Sequence, residues 1–100
     1  MNETTQEKVK FFTYKDIPLV RNGDVLYYGD MAEEYVTMIQ ILSKQRVGNL
    51  DVADKVKVYL MSTDETLNPT DAIKKTSEKN GLYAALDVGS VWLERALAGK

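Results

Sequence analysis

The sequence predicts an α+β fold in which an antiparallel meander of about five strands is followed by two C-terminal helices packed on one face. Three observations carry this expectation. Apolar and polar residues alternate with period two up to Met61, Asn22-Gly23 forms a turn signal between two such stretches, and helix-capping chemistry first appears at Asn68. The 100 residues suit one domain, with residues 1–7 expected as a polar, unstructured tail and 8–100 as the folded unit.

From Lys8 the chain alternates, so Lys8, Lys10, Phe12 and Tyr14 share one strand face and Val9, Phe11 and Thr13 the other. A hairpin follows over 17–28. With Asn22 and Gly23 at its tip, Arg21 faces Asp24, Val20 faces Val25, Leu19 faces Leu26 and Pro18 faces Tyr27. Residues 34–43 fit either a helix or a strand, and their dense β-branching (Val36, Thr37, Ile39, Ile41) predicts the strand. Gly48-Asn49 reads as a turn. Residues 54–61 form a further strand with Val56, Val58 and Leu60 on one side.

Helix chemistry begins with Asn68 as N-cap, Pro69 at the first position and Asp71 in the first turn, predicting a helix over 69–79 closed by Asn80-Gly81. A second helix follows. Leu82, Ala85, Leu86, Gly89, Trp92, Leu93, Ala96 and Leu97 give it one apolar stripe. Gly89 inside that helix costs about 1 kcal/mol relative to alanine, which predicts close approach of a neighbouring element more than a dimer contact. The expected core sets Leu86, Trp92 and Leu93 against Phe11, Val20, Val25, Val58 and Leu60.

The chain has no histidine and no cysteine, which removes the commonest general base, the thiolate nucleophile, zinc-finger chemistry and disulfides. Ser43, Ser62, Ser77 and Ser90 therefore have only a lysine to activate them. No catalytic residue is assigned. Asp51 with Asp54, and Asp24 with Asp30, Glu33 and Glu34, are carboxylate groupings, but acids are common in turns and none has a metal-loop spacing. The glycines form no phosphate-binding loop, so no metal or cofactor is expected. A net charge of −2 gives no general attraction to nucleic acid or anionic lipid. With neither a span-length apolar run nor a basic leader followed by an apolar stretch, the expectation is a cytoplasmic, non-membrane protein.

One surface invites function. Lys8, Lys10, Phe12 and Tyr14 on one strand, and Lys55, Lys57 and Tyr59 on another, would combine into a basic, aromatic face opposite the helices if the strands were neighbours. The reading is a non-enzymatic domain that binds a protein partner or itself, a homodimer included. The alternative is single-stranded nucleic-acid binding through that face.

The stretches from Tyr14 to Arg21, Tyr27-Tyr28-Gly29, Val52 to Val56 and Gly81 to Leu93 resemble a family of small bacterial hypothetical proteins of about this length. The resemblance covers most of the chain from Lys8 onward. It implies a bacterial setting and carries no activity, ligand or site residue.

Overall fold

Two tight turns set the register of the first three strands. The computed structural model describes residues 9–99; the expected tail at 1–7, and Lys8, lie outside them. β1 (Val9–Tyr14) turns through Lys15 and Asp16, both at positive φ (53° and 64°), into β2 (Ile17–Asn22), with Tyr14 opposite Ile17 and Phe12 opposite Leu19. β2 then turns into β3 (Val25–Tyr28). This second turn differs from the expectation by one residue. Gly23 and Asp24 form its tip, Asn22 pairs with Val25, and Leu19 pairs with Tyr28 instead of Leu26. Asn22 keeps a negative φ while Gly23 is at +65°, so glycine occupies the first central position, as a type II′ turn requires. Moving the tip by one residue shifts the pairing by two. Because side chains alternate with period two, Leu19 and Leu26 still share one face, and it is the core side, expected for Val20 and Val25.

β4 (Tyr35–Ile41) and β7 (Lys55–Ser62) pair along their full length. Between them the chain continues as a separate ribbon, β5 (Lys44–Val47) and β6 (Leu50–Ala53), turned at Gly48-Asn49. The segment that fits either helix or strand by its sequence is thus a strand.

The predicted helix at 69–79 is corrected. Asn68 caps a single turn, α1 (Pro69–Ala72), its side chain accepting from the Asp71 amide at 2.9 Å, and the chain then runs extended as β8 (Ile73–Asn80). The capping signals at 68–71 hold, but they govern one turn. Beyond it, β7 has Val56, Val58 and Leu60 buried and a second row of backbone groups to satisfy, and β8 satisfies them. The result is one six-stranded antiparallel sheet, ordered β1-β2-β3-β4-β7-β8, and eight strands among the described residues. The fold is α+β, with one long C-terminal helix in place of two.

That helix, α2 (Leu82–Ala98), starts at Gly81, whose φ of +94° turns the chain off the sheet edge. It lies over β4, β7 and β8. Its stripe buries Ala85, Leu86, Gly89 and Leu93 against Leu19, Leu26, Tyr28, Ile39, Val58 and Leu60, with Trp92 packed at the margin. Phe11, Val20 and Val25, expected in this core, lie on the other side of the sheet. Phe11 is 76% exposed. Gly89 makes the close approach its position predicted: Thr37 Oγ1 donates to the Gly89 carbonyl at 3.1 Å within a buried contact. Among the described residues no helix is long and apolar enough to cross a membrane.

Tyr28 closes the corner of the core. Its hydroxyl donates to the Tyr14 carbonyl at 2.9 Å, and the two rings meet edge to face with centroids 5.8 Å apart. Burial raises the Tyr28 phenol above its ordinary 10.0, with smaller contributions from Tyr14 and Glu94. A raised folded-state value means the folded chain holds this proton more tightly than the unfolded chain. The associated stability is whole below pH 10 and is lost as pH rises through the higher folded value. Tyr28→Phe is expected to cost about 1 kcal/mol at pH 7, from the lost hydrogen bond, and to flatten the alkaline decline. Melting curves between pH 8 and 11 check this, and parallel declines for both proteins would refute it.

Candidate interaction surface

Cross-strand registry assigns every strand residue to one of two faces. Phe12, Leu19, Tyr28, Thr37, Leu60 and Lys75 form one continuous row, and Lys10, Arg21, Leu26, Ile39, Val58 and Ser77 the row beside it. These rows face α2, as the Thr37 bond to Gly89 and the Lys75 ammonium 5.7 Å from the Trp92 ring centroid both show. Phe11, Val20, Tyr27, Met38, Tyr59 and Thr76 form a row on the opposite, open face, flanked by Val9, Asn22, Val25, Gln40, Lys57 and Glu78.

The predicted composite surface is therefore divided. Lys10, Phe12 and Tyr14 point to the helix side, where Tyr14 packs on the core and Phe12 borders a hollow with Leu82 and Tyr83. Lys55, Lys57 and Tyr59 belong to the open side, and three strands separate β1 from β7. Alternation within a strand tells which residues share a face but not which face that is. The register across β2, β3 and β4 decides it, and it places the two sets on opposite sides.

What the open face presents is apolar and aromatic more than basic. Phe11 (76% exposed) and Tyr27 (43%) stand clear, while Val20, Val25, Met38 and Tyr59 are half-buried by one another. Tyr59 donates its hydroxyl to Gln40 Oε1 at 3.2 Å, and the Lys57 ammonium lies 5.5 Å from the Tyr59 ring centroid. Of the lysines expected to line one surface, this face keeps Lys55 and Lys57, beside Glu78. Phe11, Tyr27 and Met38 come together through the register across β1, β2, β3 and β4, which the alternation within a single strand does not reveal.

The carboxylates are engaged locally. Asp24 pairs with Lys44 at 3.0 Å, Asp51 with Arg46 at 3.3 Å, and Asp30 Oδ1 accepts from the Ala32 amide at 2.9 Å. Asp64, held below the usual carboxylate range by the Thr66 hydroxyl and amide, closes a turn. Among the described residues no three acidic groups gather as metal ligands would.

One serine does meet a lysine. Lys15 Nζ lies 3.1 Å from Ser90 Oγ and 3.8 Å from Asp87. The proton arrangement is opposite to that of a nucleophile and base: the lysine donates to the serine oxygen, while the Ser90 hydroxyl donates to the Asp87 carbonyl at 2.9 Å. Ser90 is also buried in mid-helix. The contact clamps the strained Lys15-Asp16 turn to α2. A hollow of about 500 Å³ between β6 and the start of α2 lies elsewhere, with Leu50, Val52, Leu82 and Tyr83 among its walls. Its two cations, Arg21 and Lys44, are already bonded to the Gly23 carbonyl and to Asp24.

No protein-family model, curated protein or solved structure matches this chain.

Proposed function

We propose that this chain is a non-enzymatic association domain that docks on an apolar protein surface through the open face of its sheet. The observation behind this reading is the row Phe11–Val20–Tyr27–Met38–Tyr59, which crosses five adjacent strands on the side away from α2. Contiguous apolar side chains rimmed by Asn22, Gln40, Lys57 and Glu78 have the composition of a docking patch: aromatic and methionine at the centre, polar at the rim. Single strands of nucleic acid need a basic groove beside the stacking rings. With Lys10 on the far side and Glu78 beside Lys57, the chemistry of this face favours protein over phosphate. On the resemblance noted above, its setting is a bacterial cytoplasm.

The test is capture from the source cell with two baits, the parent chain and Tyr27→Lys. Tyr27 is central and exposed, so the substitution leaves the fold intact while placing a charge in the patch. Proteins retained by the parent and lost by the variant are expected. Identical captures, or none from either bait together with a strictly monomeric mass, would overturn the reading.

A further inference from the structure

The six-stranded sheet ends in two edges of opposite character. β8 is guarded: Lys74, Lys75, Glu78 and Lys79 place charge along it, and its pairing with β7 is broken by an irregularity at Leu60/Met61, both devices that discourage a further strand. β1, at the other edge, carries one charge, Lys10, within Val9–Tyr14. It also exposes two consecutive phenylalanines on opposite faces, Phe11 at 76% on the open face and Phe12 at 51% on the helix face. A partner laid on the open face covers Phe11 and leaves Phe12 in water. A strand added in the plane of the sheet flanks both at once, since paired residues stand about 4.5–5.5 Å apart on each face.

We propose that this strand is β1 of a second copy of the chain, paired antiparallel about a two-fold axis at Phe11. The proposal rests on the association reading above and names its partner and geometry. A two-fold axis normal to the sheet keeps each face on its own side, so residues of equal parity must pair. Centred on Phe11, the pairs are Phe11 with Phe11, Lys10 with Phe12, Phe12 with Lys10, and Val9 with Thr13. Each phenylalanine gains a neighbour, two of them an ammonium beside a ring, and the one charge of the strand never meets its own copy. Centring on Lys10 would set like charges opposite each other. Pairing at Phe11 also joins the two open-face rows end to end, so Tyr59–Met38–Tyr27–Val20–Phe11 continues into its mirror order across ten strands, doubling the docking patch.

Five residue pairs bury little area, which places the dimer among weak, concentration-dependent associations. Light scattering or sedimentation of the full chain from about 10 μM to about 1 mM is expected to show mass rising from one chain toward two. Phe11→Lys puts two ammonium groups on the axis and is expected to weaken dimerisation at least tenfold. Because Phe11 is exposed, its melting curve serves as the folding control. Phe11→Glu alone is also expected to be monomeric, and mixing the two variants is expected to restore a one-to-one dimer. A monomer throughout, a dimer indifferent to Phe11→Lys, or a mixture that stays monomeric each overturns the proposal. A monomeric chain that still captures protein through Tyr27 defeats this inference and leaves the docking reading standing.

Discussion

Replacing Gly89 by valine is expected to destabilise the fold by about 3 kcal/mol or more, and even alanine, normally better than glycine inside a helix by about 1 kcal/mol, is expected to be unfavourable here. A β-carbon at this position falls 2.7 Å from Thr37 Cγ2, where carbon atoms repel. Thr37 cannot step aside cheaply. It is β-branched, it is fully buried, and its hydroxyl is committed to the Gly89 carbonyl, so rotation would orphan a buried polar group at a cost of about 1–3 kcal/mol. Lifting the helix instead would loosen Leu86 and Leu93 from the sheet. Shortening the obstacle separates these explanations: Thr37→Ser keeps the hydroxyl and removes the methyl. Combined with Gly89→Ala it is expected to be more stable than the two single effects sum to, by about 1 kcal/mol or more in denaturant titrations. Strict additivity, or a Gly89→Ala chain as stable as the parent, would show that this contact does not set the helix height.

The role of Gly89 is legible in the sequence because a glycine in the middle of an apolar helical stripe has no local reason to be there. The inner faces of β4 and β7 are legible for a related reason, since Ile39, Ile41, Val56, Val58 and Leu60 recur with period two. The Asn22-Gly23 signal puts the hairpin tip one residue early, and Leu19 and Leu26 still share a face because the error shifts the pairing by an even number, but that face is the core side, expected for Val20 and Val25. Residues 73–80 are not legible. Lys74, Lys75, Glu78 and Lys79 suit a helix as well as an edge strand, and the demand that makes them a strand comes from the unpaired backbone of β7, a long-range matter.

The candidate surface failed at one identifiable step. Alternation groups Lys10 with Phe12 and Tyr14 correctly, but the register through β3 and β4 to β7 puts Leu19 and Leu26, not the expected Val20 and Val25, on the core side, and the Lys15-Asp16 turn carries that assignment to β1. That turn carries neither glycine nor asparagine at its positive-φ positions, so it gives no signal. Its compensation is tertiary: Lys15 is tied to Ser90 and stands near Asp87 on α2. With the inward side of β2 known, Phe12 falls opposite Leu19 and joins the core side, and Phe11, Val20 and Tyr27 form the outer row.

Leu93→Ala is expected to have the largest effect of a single truncation, about 3–4 kcal/mol, and to lower the melting temperature by about 15 °C or more. Leu93 is 1% exposed, and one of its methyls lies 3.1 Å from where a β-carbon on Gly29 would stand, so it fills the space that glycine leaves at the end of β3. Gly29 is held at φ +124°, a backbone conformation that alanine tolerates poorly, so the sheet cannot regain the lost volume by enlarging its own side chain. The void must remain or the helix must sink onto β4, where Gly89 is already in contact with Thr37. Tyr83→Ala on the same helix, at a side chain 78% exposed, is expected to change stability by less than about 0.5 kcal/mol. Chemical denaturation of the two variants measures the difference, and a Leu93→Ala cost below about 1 kcal/mol would mean that the helix does not anchor the sheet there. The same variant separates stability from association: Leu93 lies on the helix side and Tyr27 on the open side. A chain weakened at Leu93 but still folded is therefore expected to keep the docking behaviour that Tyr27→Lys abolishes.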